Sequence, residues 1–139
     1  MVRPIEGWAR QMLERRGVFG MLATVSRDGS PHQAVIWYLV RDHAIVINSA
    51  VGRIWPTNLS RDGRCSLVVE DGYEWVGVRG QAEPVTDQAT AQADIAEMAR
   101  RYKSSDPADA ERMIAEVFEP QQRVSFVIRV DRIAEHPDA

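Results

Sequence analysis

The residue types best suited to chemistry in this chain are concentrated in Ile47-Asn48-Ser49-Ala50-Val51-Gly52-Arg53-Ile54-Trp55-Pro56-Thr57-Asn58-Leu59. A β-favouring segment ends in Asn48 and Ser49, a small-residue loop turns at Gly52, and a short helix opens near Arg53 to Pro56. The first amides of a helix have no partner within it and carry partial positive charge, so such a terminus can receive an anion. The Ser49 hydroxyl and Arg53 guanidinium beside it would complete a phosphate cradle. An ordinary helix start with a solvated arginine carries the same letters, and both readings stand at this level. Trp37, Tyr38, Trp55, Tyr73 and Trp75 fall on expected strands or at the helix start, where a planar ring could stack on them. Barrel core or subunit interface is the plainer role for any one of them.

Other chemistry finds little support. His32, His43 and His136 lie at a strand start, in a turn and in the tail, and no serine sits in a G-x-S-x-G elbow. Cys65 opens a strand as a small core residue would. No His or carboxylate pair stands at ligand spacing on an expected helix face, so no metal site is expected. Lys103, the one lysine, sits in a polar stretch with nothing to depress its pKa.

The elements that must hold these residues can be read from periodicity. Ile5, Trp8, Ala9, Met12 and Leu13 form one apolar face, which predicts a helix over 5–16 with Gly17 as its stop. Val18 to Ser26, Pro31 to Val40 and Ala44 to Ser49 read as three strands of an antiparallel meander, turned at Asp28-Gly29 and Asp42-His43. After the Pro56 helix, Arg64 to Glu70 and Tyr73 to Val85 are two more strands, and Gly77 and Gly80 suggest bulges. A helix pair follows over 86–119, with Thr86 or Asp87 capping the first and Asp106-Pro107 starting the second. Arg123 to Ile133 alternates as a half-buried last strand, and the tail after Glu135 reads as frayed. The sum is one domain over 1–139, mainly β with α: six antiparallel strands, within 18–85 and 123–135, closed into a small barrel with peripheral helices.

Composition bounds the rest. The chain has 139 residues, 45% hydrophobic and 27% charged, which is ordinary for one globular domain without staples. Seventeen basic against 20 acidic residues give a net charge of -3, a poor match to nucleic acid. The longest apolar run, Ala34 to Val40, is far short of the ~20 residues that span a bilayer, and no export signal is visible. A cytoplasmic location away from membranes is the expectation.

Several segments in order carry a resemblance. They are Phe19 to His32, Val35-Ile36-Trp37, Asn48-Ser49-Ala50 with Gly52-Arg53, Asn58 to Asp62, Ser66 to Val69, Gly77 to Ala82 and Arg101-Tyr102. Together they resemble the pyridoxamine-phosphate-oxidase-like FMN-binding split β-barrel proteins, and among them the flavin/deazaflavin oxidoreductases. The resemblance implies a homodimer with cofactor sites at the subunit interface, holding coenzyme F420 or FMN. Asn48 to Asn58, with Ser49, Arg53, Trp55 and Pro56 inside it, would hold the phosphate. Val35, Ile36 and Trp37 would line the ring through backbone groups, and Tyr73 or Trp75 would reach in from the partner subunit. Where the family commonly reads Arg-x-Lys-x-x-Asn-Leu, this chain has Arg53-Ile54-Trp55-Pro56-Thr57-Asn58-Leu59, so a lysine gives way to Trp55. The cofactor's phosphate is then held differently or its affinity is reduced, or Trp55 instead stacks on the ring or walls off the pocket. The activity implied is hydride transfer from reduced F420, or FMN, to an unsaturated or conjugated small molecule. The alternative is a non-catalytic split barrel that carries a flavin, a deazaflavin or haem.

Overall fold

Hairpins build most of the molecule. In the computed structural model, which describes residues 1–138, β1 (Gly20–Val25) and β2 (Pro31–Ile36) pair across the Asp28-Gly29 turn. Gly29 takes φ +88° there, and the Asp28 carboxylate accepts from the Ser30 amide at 3.0 Å. β3 (Leu39–Arg41) and β4 (Ala44–Ala50) form a second hairpin, β5 (Arg64–Asp71) and β6 (Glu74–Val85) a third, and β7 (Arg123–His136) joins β6 to β4.

The order is β2-β1-β5-β6-β7-β4-β3, seven strands where six were expected. The difference lies in Pro31 to Val40, which breaks at Trp37 and Tyr38. Tyr38 donates its hydroxyl to the Leu13 carbonyl at 2.6 Å, and its amide turns to the Tyr102 hydroxyl at 3.4 Å, so it leaves the ladder. The expected three-strand meander is therefore two hairpins at opposite edges of one sheet. Only these two residues, roughly 10 Å of chain, connect the edge strands β2 and β3. The edges must meet there, and the sheet curls into a split barrel. Curling also needs a bend in β6. It comes at Arg79/Gly80, where the register with β7 shifts and a Cβ on Gly80 would collide with the Arg129 carbonyl.

Leu22, Ile45, Ile47, Leu67, Val76 and Phe126 fill the barrel and are essentially solvent-free. Each such side chain stabilises the fold by about 1.5–3 kcal/mol. β4 is covered on both faces: Ile45 and Ile47 face the barrel, while Val46 packs with Leu39, Ile95 and Met98 under α3 (Gln88–Tyr102). Asp87 caps α3 by accepting from the Thr90 amide at 3.0 Å. α1 (Gly7–Leu13) is shorter than the expected 5–16, because the carbonyls of Leu13 and Glu14 are taken by Tyr38 and Arg101. α2 (Ile54–Arg61) follows β4. α4 (Pro107–Met113), capped by Asp106, continues as a single π-helical turn over Ile114–Phe118 that periodicity did not reveal. Gln92 holds the end of that turn, its amide donating to the carbonyls of Phe118 and Gln121 at 2.9 Å. β7 runs on to His136, past the expected end at 135, where the imidazole stacks on Trp75 at 5.4 Å between centroids.

Candidate functional site

A cleft of about 280 Å³ opens where β2 ends, β4 runs into α2 and the π-helical turn closes over α3. Val35, Ile36 and Trp37 form one side, and Asn48, Ser49, Arg53 and Trp55 lie along the β4–α2 side. Ile95, Met113, Val117 and Phe118 form an apolar helical side, and Gln121 and Arg123 complete it. A shallower groove of about 450 Å³ shares Val35, Arg53 and Trp55 with the cleft and extends to His32, Gly52 and Ile54.

The β4–α2 loop is fixed by Gly52 at φ +98° and by the Val51 amide donating to the Gln122 carbonyl at 2.9 Å. Arg53 occupies the N-cap position of α2 without a side-chain cap. Pro56 brings no amide to the first turn, and the Thr57 amide bonds the Arg53 carbonyl at 3.2 Å. That leaves the amides of Ile54 and Trp55 as the open donors of α2. The Arg53 guanidinium is exposed and, among the described residues, forms no ion pair or hydrogen bond. Ser49 donates its hydroxyl to the Ala50 carbonyl at 3.0 Å. On the opposite side, the Trp37 ring lies parallel to Tyr102 at 5.2 Å and edge-on to Phe118 at 6.5 Å. Tyr102 is itself anchored, its hydroxyl donating to the Val18 carbonyl at 2.9 Å. Trp37 is thus a clamped, flat wall.

Seven of the eleven residues singled out from sequence meet in this cleft: Val35, Ile36, Trp37, Asn48, Ser49, Arg53 and Trp55. Trp55 contributes as a wall from the core, 7% exposed and tilted against Phe126 at 5.9 Å. Pro56 and Asn58 do not line it. Both are buried under α2, and Asn58 donates to the Thr24 hydroxyl at 3.1 Å, which fastens α2 to β1. Their role within this chain is to hold the helix. Tyr73 stands 86% exposed in the β5–β6 turn and Trp75 stacks on His136, both outside the cleft.

One lining residue was not foreseen. Arg123 opens β7, and its side chain runs inward, leaving the residue 4% exposed. Its Nε donates to Asn48 Oδ1 at 3.0 Å, Nη1 donates to Gln121 Oε1, and the guanidinium lies 4.9 Å from the Phe118 ring. Asn48 passes the chain on, donating at 2.9 Å to the Ser125 hydroxyl, which donates at 2.7 Å to Asp94. Asp94 accepts at its other oxygen from Arg41 at 3.0 Å. Burial, with a smaller contribution from the positive charge of Arg53, lowers the Arg123 pKa to about 10. It remains a cation at neutral pH, and its burial makes that charge costly. In the sequence it reads as a flanking charge before an apolar strand, and no motif marks it.

Among the described residues no carboxylate lines the cleft. Two larger hollows differ in this respect. One of about 420 Å³ is lined by Arg79 and Asp131, and its Arg64 is tied to Asp62 at 2.7 Å. Cys65 lies there too, with burial pushing its thiol up to about 12, so no thiolate forms near neutrality. Another, about 590 Å³, mixes Glu14 and Glu97 with Arg16, Arg100 and Arg101. Among the described residues no group of three metal-ligating side chains occurs, and no helix is long and apolar enough to cross a membrane.

Known structures share this architecture. A conserved hypothetical protein of Mycobacterium tuberculosis superposes with TM-score 0.75 at 24% identity, over 100% of this chain and 95% of that one. An F420 reductase does so with TM-score 0.72 at 26% identity, over 93% of this chain and 97% of that one. A heme binding protein from Mycobacterium smegmatis has TM-score 0.69 at 24% identity, covering 98% of this chain and 55% of that one. No curated protein matches the chain. The family model described as pyridoxamine 5'-phosphate oxidase matches residues 8–136, the span from α1 to the end of β7. With the curled antiparallel sheet and its β4–α2 cleft lying inside that span, the chain belongs to the pyridoxamine 5'-phosphate oxidase family.

Proposed function

We propose that the cleft binds a flavin-type cofactor, with coenzyme F420 preferred over FMN, and that the protein is an oxidoreductase passing hydride to an unsaturated or conjugated small molecule. The observation that carries this is one cleft in which an unpaired Arg53 and the open end of α2 lie beside the clamped Trp37 wall, with no carboxylate among the lining residues. The donor set matches the group: cations and amides for phosphate, flat apolar surfaces for a ring. The likeness to an F420 reductase supports the choice of cofactor.

When bound, such a cofactor supplies the hydride chemistry. The chain's own part is to bind and orient. Arg53 and the amides of Ile54 and Trp55 would hold the anionic end, Trp37 would fix the tilt of the ring, and Ile95, Met113 and Val117 would keep water out. Among the described residues the cleft is lined by no carboxylate, imidazole, thiol or lysine, which leaves binding and orientation to its side chains. We further propose a homodimer that covers the cleft mouth, where Val35, Val51 and Ile54 stand 69%, 51% and 62% exposed. Tyr73 or Trp75 would come from the second copy. The expected location is the cytoplasm, with no nucleic-acid or membrane partner.

Fluorescence titration of the purified protein with F420 and FMN tests the reading; micromolar binding of one is expected, and binding of neither refutes it. Arg53→Ala should weaken the bound cofactor by about 1.5–3 kcal/mol, the scale of a hydrogen bond to a charged group. Unchanged affinity would put the anion elsewhere. A second reading, a carrier of flavin, deazaflavin or haem, draws on His32 at the adjoining groove, an imidazole without a hydrogen-bond partner among the described residues. Turnover separates the two. A carrier binds reduced cofactor and never oxidises it with any acceptor, and a haem carrier gives a Soret shift that His32→Ala abolishes.

A further inference from the structure

Among the described residues, Arg123 is the buried cation whose charge the chain leaves open. Every group that touches its guanidinium is neutral: the carbonyl oxygens of the Asn48 and Gln121 side chains and the face of Phe118. No carboxylate lies within ion-pair reach among the described residues, while the nearby Asp94 is already satisfied by Ser125 and Arg41. Nε and Nη1 have partners, but Nη2 donates to no group of the chain, and it is not sealed off. It therefore opens toward the cleft that Arg123 lines.

A buried guanidinium without a counter-charge is expensive, and a core arginine kept only for packing would be replaced cheaply by a neutral side chain. Here the opposite investment is visible. Asn48, Ser125 and Asp94 form a buried chain that ends on Nε, Gln88 pins the Arg123 backbone in both directions at 2.9 and 2.7 Å, and Gln121 holds Nη1. These contacts fix the guanidinium's plane and leave Nη2 as the nitrogen free to donate to an oxyanion. Arg53 lies close enough for its charge to be felt at Arg123.

We infer that Arg123 is the buried half of a two-arginine phosphate subsite, with its free Nη2 and the Arg53 guanidinium taking oxygens of one ligand phosphate. Asn48 and Gln121 are positioning residues for it. This rests on the reading of the cleft as a cofactor site and adds which group of the ligand is recognised, and by what. Phosphate neutralises the charge that the chain itself does not.

The test compares ligands that share a ring and differ in phosphate. FMN and riboflavin are titrated against the parent protein, Arg123→Gln and Arg123→Lys, with tryptophan fluorescence as readout, and thermal unfolding is followed with and without inorganic phosphate. We expect Arg123→Gln to weaken FMN by ten- to a hundredfold while leaving riboflavin within about twofold, and Arg123→Lys to restore part of the loss. In phosphate-free buffer Arg123→Gln should melt no lower than the parent, since it removes an uncompensated buried charge. Phosphate should raise the parent's midpoint and not the variant's. An equal loss of FMN and riboflavin, or FMN affinity unchanged in Arg123→Gln, overturns the inference while the cofactor reading stands. Failure of the parent to bind F420, FMN or riboflavin removes the cofactor reading. The phosphate-dependent midpoint then decides the subsite alone, and its absence in the parent overturns that too.

Discussion

The two ends of the buried polar chain Arg41–Asp94–Ser125–Asn48–Arg123 are built alike and balanced differently. At the outer end Arg41 meets Asp94 at 3.0 Å and Glu97 at 3.2 Å, so one guanidinium faces two carboxylates at the surface. At the inner end Arg123 meets only amide oxygens. Asp94 is 6% exposed at its side chain and would be costly alone, which explains its pairing. Arg123 is equally deep and has no such partner. The contrast teaches that burial by itself did not force neutralisation in this fold. It was enforced where the chain closes on itself and omitted where a cleft begins.

Breaking the balanced end should cost most. Asp94→Ala leaves the Ser125 hydroxyl without an acceptor and Arg41 without its inner partner. Arg41 can turn to water, so the loss should be about 2–3 kcal/mol rather than that of a stranded buried charge. Urea unfolding checks it. A loss comparable to that of Arg123→Gln would erase the distinction between the ends.

Ser125→Ala cuts the link between them. Asn48 keeps the Ala91 carbonyl at 2.9 Å and Asp94 keeps Arg41, so only the two middle bonds go. The expected destabilisation is about 1 kcal/mol, with a wider spread of Asn48 orientations and hence weaker binding of any phosphate ligand. Stability lost with affinity untouched would show that the chain serves folding alone.

How much of this was visible in the letters depends on sequence distance. Asp28-Gly29, Asp87 and Asp106-Pro107 act on neighbours one to three residues away, and each formed the turn or cap that its local chemistry demands. Asn48 to Trp55 was legible as one side of a cleft because a strand end, a glycine and a helix start lie in a single run. Arg123 was not, since its partner Asn48 is 75 residues away and its burial follows from β7 pairing with β4. Asn58 lies three residues beyond that run, and the turn of α2 points its amide at Thr24 rather than into the cleft, a tertiary contact the letters do not show. The break at Trp37 was equally hidden, because an apolar β-branched stretch gives no sign of which sheet edge each half joins. The π-helical turn over 114–118 is held by Gln92 from another helix, a tertiary effect no local pattern encodes.

The inner end should also respond to pH in its own window. Arg123 has its pKa lowered from the ordinary arginine range to about 10 in the folded protein. A base whose folded pKa is depressed destabilises the fold while it is protonated; that cost is constant below pH 10 and is relieved as pH rises above 10 toward the ordinary arginine pKa. An anion that relies on the cation shows the reverse. Its affinity should be flat from pH 7 to 9 and fall roughly fourfold by pH 10.5, where about a quarter of the groups stay charged. A steep fall already between pH 7 and 9 would assign the binding to another group.

Surface arginines supply the smallest effect and the control for all the rest. Arg100 and Glu111 make a bond of 2.8 Å, shorter than Arg41 to Asp94, yet their side chains are 58% and 59% exposed. Water and salt screen such a pair, and ordering two long side chains offsets most of what attraction remains. Distance therefore ranks these two pairs in the wrong order, and burial ranks them correctly. Arg100→Ala should leave the urea midpoint unresolved from the parent's at 0.15 M salt and lower it only slightly at low ionic strength. If instead it destabilised as Asp94→Ala does, charge pairing in this protein would be independent of depth, and the open charge at Arg123 would lose its meaning as the mark of a ligand.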